Sequence, residues 1–211
     1  MRSEKPLSRV PTTVALAAAL ALAGCDGGTG PDDRDTVSGE DAEAIAGFVS
    51  NVDFASVGVA TLTTTSGTRT YGRTVSCPAG GSVSVSGSGE TSRDDATRIL
   101  STKWTNTQTH AACAITHTRG DKTVTAVIDG SVTGSGTASW QLPEKRGDLP
   151  TLLSWTGTRA GSTTTTVGDR KSTCEVNLTQ TWNSATKMFT ISGVMCGRQV
   201  NITRDWGSRG G

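Results

Sequence analysis

Aromatic side chains are scarce in this 211-residue chain: phenylalanine, tyrosine and tryptophan make up 4% of it, with a single tyrosine and three phenylalanines. A core of that composition rests on aliphatic residues, and each of the five tryptophans becomes conspicuous. Histidine is almost missing, represented by His110 and His117 alone. No His-x-x-x-His or Cys-x-x-Cys pair occurs, which argues against a zinc site. A Gly-x-Ser-x-Gly nucleophile elbow is lacking, and so is a glycine-rich phosphate loop ending in lysine. Neither sign of charge dominates: 20 basic residues face 19 acidic ones. The basic residues form no run or stripe, which argues against nucleic acid as a partner. Long apolar runs are also lacking, apart from one near the start.

That run belongs to a leader. Arg2, Lys5 and Arg9 precede a largely apolar stretch from Val10 to Ala23, the pattern of a secretory signal peptide and too short for a membrane-spanning helix. Leu22-Ala23-Gly24-Cys25 resembles the lipobox of bacterial lipoproteins. The resemblance covers only the leader and implies diacylglycerol on the Cys25 thiol, cleavage before Cys25, and membrane anchoring through the acyl chains. Residues 1–24 are then a lipoprotein signal peptide. Asp26 resembles the inner-membrane retention signal of enterobacteria, a rule that does not hold across all bacteria, so inner and outer membrane stay open.

Charge is unevenly placed behind the leader. Residues 26–44 hold seven acidic residues and one arginine, which reads as a solvated tether over 25–38. Asp32, Asp33 and Asp35 lack the glycine and distant glutamate of a calcium loop. Residues 39–211 suit one domain. Setting Cys25 aside leaves Cys77, Cys113, Cys174 and Cys196, an even number that suggests two disulfides in an exported chain. Cys174 and Cys196 are equidistant from Ala185 in an expected hairpin, so antiparallel pairing sets them opposite each other. A turn bulge would shift this by one residue. Cys77–Cys113 follows by elimination.

Periodicity then sets the fold class. Ser38-Gly39-Glu40-Asp41 marks a helix start, and Ile45, Phe48, Val49 and Val52 follow at helical spacing, predicting one short helix at about 39–51. From Val57 the period becomes two, as in Ser82-Val83-Ser84-Val85-Ser86. Threonine-rich segments between glycine-rich turns predict an all-β body of about ten antiparallel strands in a meander. The expected strands are 57–65, 69–77, 82–89, 97–108, 112–118, 122–132, 136–142, 151–160, 173–182 and 187–204, the last split near Gly197. A meander of that size should curve or become barrel-like, with a two-sheet sandwich as the alternative.

Functional candidates are few. Trp104, Trp140, Trp155, Trp182 and Trp206 fall on the apolar phase of their strands, as core residues do; the sharper reading is a ligand cavity lined by some of them. His110 falls in an expected turn, whereas His117 shares the phase of Cys113 and Ile115. Asp94, Asp95, Asp121 and Asp148 read as solvated loop acids. Arg-Gly-Asp at 119–121 and 146–148 reads as turn chemistry. Three expectations follow. The first is a lipid-anchored envelope protein with a structural or interaction role, without catalytic residues, metal or cofactor. The second is a binding protein for a small apolar or carbohydrate ligand. The third is a hydrolase with carboxylates that spacing does not reveal.

Overall fold

The computed structural model describes residues 37–61, 66–145 and 148–205, without the side chains of 53–61. Cys25, the tether up to residue 36 and Trp206 lie outside the described residues. One helix, α1 (Gly39–Thr61), precedes eight strands: β1 (Gly67–Ser76), β2 (Ser82–Asp94), β3 (Ile99–Arg119), β4 (Lys122–Gln141), β5 (Thr151–Val167), β6 (Arg170–Asn183), β7 (Met188–Met195) and β8 (Arg198–Asp205). Every neighbouring pair is antiparallel. The strands form one sheet in sequence order, so the body is all-β and a meander, not a sandwich. The sheet is not closed, because the hydrogen-bonded order ends at β1 and β8.

Its curvature follows from what α1 touches: β1, β2 and β3 on one side and β7 and β8 on the other. In a flat sheet of eight strands, β1 and β8 would stand roughly 34 Å apart. Yet positions 41 and 47 of α1, about 9 Å apart along its axis, meet both sides: Asp41 bonds Arg119 of β3, and a Cβ added at Gly47 would lie 2.7 Å from Arg204 of β8, so the sheet wraps around α1. The helix starts where Ser38 and Asp41 bond reciprocally. The Asp41 amide donates to Ser38 Oγ and the Ser38 amide to Asp41 Oδ2, each at 3.1 Å. Ala42, Ile45, Ala46 and Val49 are fully buried at the spacing of one helix face.

Eight strands stand where ten segments were expected: the last splits near Gly197 into β7 and β8 as expected, and three other changes lower the count. Residues 57–61 of the expected first strand are helical, since α1 runs to Thr61 rather than ending near residue 51. Once nucleated and packed, a helix gains one hydrogen bond per added residue, which overrides a short β-like alternation. Segments 97–108 and 112–118 are one strand, β3, continuing through a bulge between His110 and Cys113. Segments 122–132 and 136–142 are likewise one strand, β4, since Gly134 between them stays in the ladder.

Both disulfides form as paired in the sequence reading. Cys77–Cys113 spans a Cα separation of 5.4 Å and Cys174–Cys196 one of 4.0 Å. The hairpin register is one residue off the symmetric expectation: Asn183 pairs with Met188 and Val176 with Met195. Cys196 therefore lies just beyond the ladder, at φ 53°, in the turn before β8, and its amide donates to the Glu175 carbonyl at 3.0 Å. Cys77 reaches β3 because the turn after β1 folds onto it. The Ala79 amide donates to the Ala114 carbonyl, and the Ala114 amide to the Gly80 carbonyl, at 2.9 and 2.8 Å. Gly81 makes this possible: its φ is +71°, and a Cβ there would overlap the Ala112 backbone.

Two disulfides indicate an oxidising, extracytoplasmic location. Among the described residues, no helix is long and apolar enough to cross a membrane.

Candidate functional site

The pleat gives the sheet two chemically distinct faces. On the inner face, large side chains alternate across strands with glycine. Trp104 on β3 stands between Gly89 and Gly136, and Asn106 between Gly87 and Gly134. The Trp104 ring lies over Gly136 and Gly157, where an added Cβ would come within 2.6 and 2.9 Å of it. Trp104 also stacks on Trp155, with centroids 5.3 Å apart and planes 29° apart. Arg159 sits 5.7 Å from the Trp104 centroid and donates from NH1 to Asn106 Oδ1 at 2.7 Å. Asn106 Nδ2 in turn donates to the Tyr71 hydroxyl at 3.3 Å. Gln108 Nε2 donates to the Val49 carbonyl of α1 at 3.1 Å.

The four described tryptophans are therefore not equivalent. Trp104, Trp140 and Trp155 are buried, and the first and third are in contact. Trp182 is half-buried, pairs in register with Trp155 and Phe189, and donates from Nε1 to the Leu152 carbonyl at 3.4 Å. Beside the stacked pair lie buried polar atoms without a hydrogen-bond partner, Trp104 Nε1 and both amide atoms of Gln180, and Gln108 Oε1 further along β3 is another. The sequence reading passed over Asn106, Gln108, Arg159 and Gln180. Their signal was present: they share the phase of the tryptophans, and glycines stand opposite Asn106, Arg159 and Gln180, but the opposition appears only once strand register is known.

The histidines depart from expectation in one case. His110 is not in a turn; it lies within β3 and is 2% exposed. Burial holds its pKa below the ordinary value of 6.5, helped by the nearby Arg159 charge and opposed by the Gly130 backbone and Asp129. His117 is partly buried, as its phase suggested, and its Nε2 meets Asp41 Oδ1 at 2.7 Å. Arg119 NH1 donates to Asp41 Oδ2 at 3.1 Å. Burial alone would raise the Asp41 pKa. Hydrogen bonds from His117 and Ser38, with the Arg119 charge, outweigh it and hold the carboxyl below 3.8. This group ties the start of α1 to the end of β3.

Asp94 closes the turn after β2, accepting from the Thr97 hydroxyl and from the amides of Thr97 and Ala96. Those bonds, led by the Thr97 hydroxyl, lower its pKa. The Arg119-Gly120-Asp121 segment spans the β3–β4 turn, while Arg146 and Gly147 of the second copy lie outside the described residues. Among the described residues, no group of three or more His, Cys, Asp or Glu is placed to hold a metal ion.

The outer face is built of hydroxyls. In one cross-strand row, Thr70, Ser88, Thr105, Ser135, Thr158 and Thr179 stand in register on β1 to β6. Neighbours in such rows share hydrogen bonds: Thr137 with Thr156 at 2.9 Å, Ser139 with Ser154 at 2.6 Å, and Thr109 with Ser131 at 3.0 Å. Open clefts lie on this face, and two of them follow the hydroxyl rows. One of about 680 Å3 crosses β1 to β5 along that row. The other, about 390 Å3, includes Glu90, Lys103, Thr137 and Ser139. Comparison with protein-family models, with curated proteins and with solved structures yields no match.

Proposed function

We propose that this chain is a lipid-anchored bacterial envelope protein, held to a membrane through Cys25, that acts by interaction and not by catalysis. The observation that carries the reading is the division of the cysteines. Four pair within the body as an exported protein's do, and the fifth stands in Leu22-Ala23-Gly24-Cys25. The acidic segment behind Cys25 then serves as a spacer between lipid and β body. Cys25→Ser tests the anchor: the variant should move from the detergent-extracted membrane fraction to the aqueous fraction, and continued membrane association would contradict the reading.

A second reading is a small ligand held inside the curved sheet. The unpartnered amide of Gln180 and the Trp104 indole N–H beside the stacked rings favour it, since buried polar atoms ordinarily find a partner. Native mass spectrometry of the purified full chain should then show a bound small molecule; a bare chain mass, even at the gentlest ionisation, counts against it.

A further inference from the structure

The larger outer cleft has a lining that narrows its ligand to one class. Its spine is Thr70, Ser88, Thr105, Ser135 and Thr158, one residue from each of five consecutive strands. Its outward side chains are hydroxyls and one alanine, with glycine backbone between them and no charged side chain or aromatic ring; the Asn106 carboxamide at its floor faces inward, to Arg159. A charged ligand would find no opposite charge there, and an apolar one would strip water from the hydroxyls and return no hydrogen bond. A neutral polyol satisfies both limits. Ser88 shares a hydrogen bond with Thr105 at 3.3 Å and Ser135 with Thr158 at 3.4 Å. Each hydroxyl has one donor and two acceptor sites, so every pair keeps capacity for a ligand.

Spacing adds a second argument. Hydroxyls recur once per strand, at about 4.8 Å, and again two residues along a strand, at about 6.8 Å. The first interval is close to the length of one pyranose unit in an extended chain. We propose that the cleft binds a neutral glycan chain laid across the strands, one sugar unit per strand. With no ring to stack on, each sugar contributes only hydrogen bonds that water also offers, so affinity comes from chain length. The inference rests on the envelope reading in that it names the partner for the interaction proposed there.

The test is isothermal titration of the full chain in detergent micelles. The probes are cellohexaose, maltohexaose, mannohexaose and chitohexaose, beside glucose, mannose and N-acetylglucosamine. At least one hexasaccharide should bind while its own monosaccharide does not. Thr105→Val with Thr158→Val should weaken that binding about tenfold, the loss expected for two hydrogen bonds. Thr203→Val, on β8 outside the cleft, should leave the affinity unchanged. If the double variant fails to fold by circular dichroism, Ser88→Ala supplies the same readout with a smaller change. Three results would overturn the proposal: no binding by any hexasaccharide at about 10 mM, equal binding by hexasaccharide and monosaccharide, or binding indifferent to the cleft variants. Membrane fractionation of Cys25→Ser reads the anchor and not the cleft, so the two readings fail separately.

Discussion

The inner and outer faces of the sheet use the same strands and obey different rules. Inside, the large side chains at the middle of the strands are matched to neighbours of no volume, as Trp104 is to Gly136 and Gly157. Outside, threonine and serine repeat without any such matching, and their hydroxyls bond sideways to one another. The difference shows where shape is constrained. Where solvent is excluded, volumes must interlock. Where solvent is present, β-branched and hydroxyl residues suffice to hold an extended strand, and the surface is left free for recognition.

Substitutions on the two faces test this contrast, and the largest effect belongs inside. Trp104→Ala removes a ring that is 2% exposed and stacked on Trp155, and should cost about 4 kcal/mol in urea unfolding. A cost below about 1 kcal/mol would mean the stack is not part of the core. Next come the crosslinks. Replacing Cys174 and Cys196 by alanine opens a loop with a sequence separation of 22 and should cost about 3.5 kcal/mol by the chain-entropy estimate. An unchanged melting curve would refute that structural role.

The Asp41 group should follow at about 3 kcal/mol for Asp41→Ala, since it leaves a buried partner set unmatched. It also carries a pH signature. The folded carboxyl titrates below its ordinary 3.8, so its stabilisation is complete above that value and is lost as pH falls through the folded value. Acid unfolding of wild type should therefore steepen below about pH 4, and Asp41→Asn should lack that component. Superimposable acid curves would contradict the assignment. The smallest effect belongs outside: Thr156→Val removes the bond to Thr137 at 2.9 Å but keeps the β-branched shape, and should change stability by no more than about 0.5 kcal/mol. A larger loss would show that the outer ladder helps to hold the fold.

Much of this contrast was legible before the structure. Alternation of Cys174, Val176 and Leu178 with Glu175, Asn177 and Thr179 separates an inner from an outer face by period alone. The Ser38–Asp41 helix start was legible because capping is local. Both disulfides were legible from counting. What the sequence hid is whatever depends on register. His110 looked like a turn residue because Ala111 and Ala112 interrupt the phase, and only the bulge at φ 45° on Ala112 keeps β3 continuous. Arg159 keeps the inner phase of its own strand, but its meeting with Asn106 and Gly134 joins three strands and is legible in none of them alone. The hydroxyl rows are hidden for the same reason, since Thr105, Ser135 and Thr158 are far apart in the chain and adjacent only across it.

The central claim is that Cys25 carries the chain's attachment to a membrane while the other four cysteines hold the body. Mass spectrometry of the N-terminal peptide from detergent-extracted protein tests it most directly. The account predicts a chain beginning at Cys25, with the thiol bearing diacylglycerol. An unmodified Cys25, or a mature chain that begins elsewhere, would contradict it.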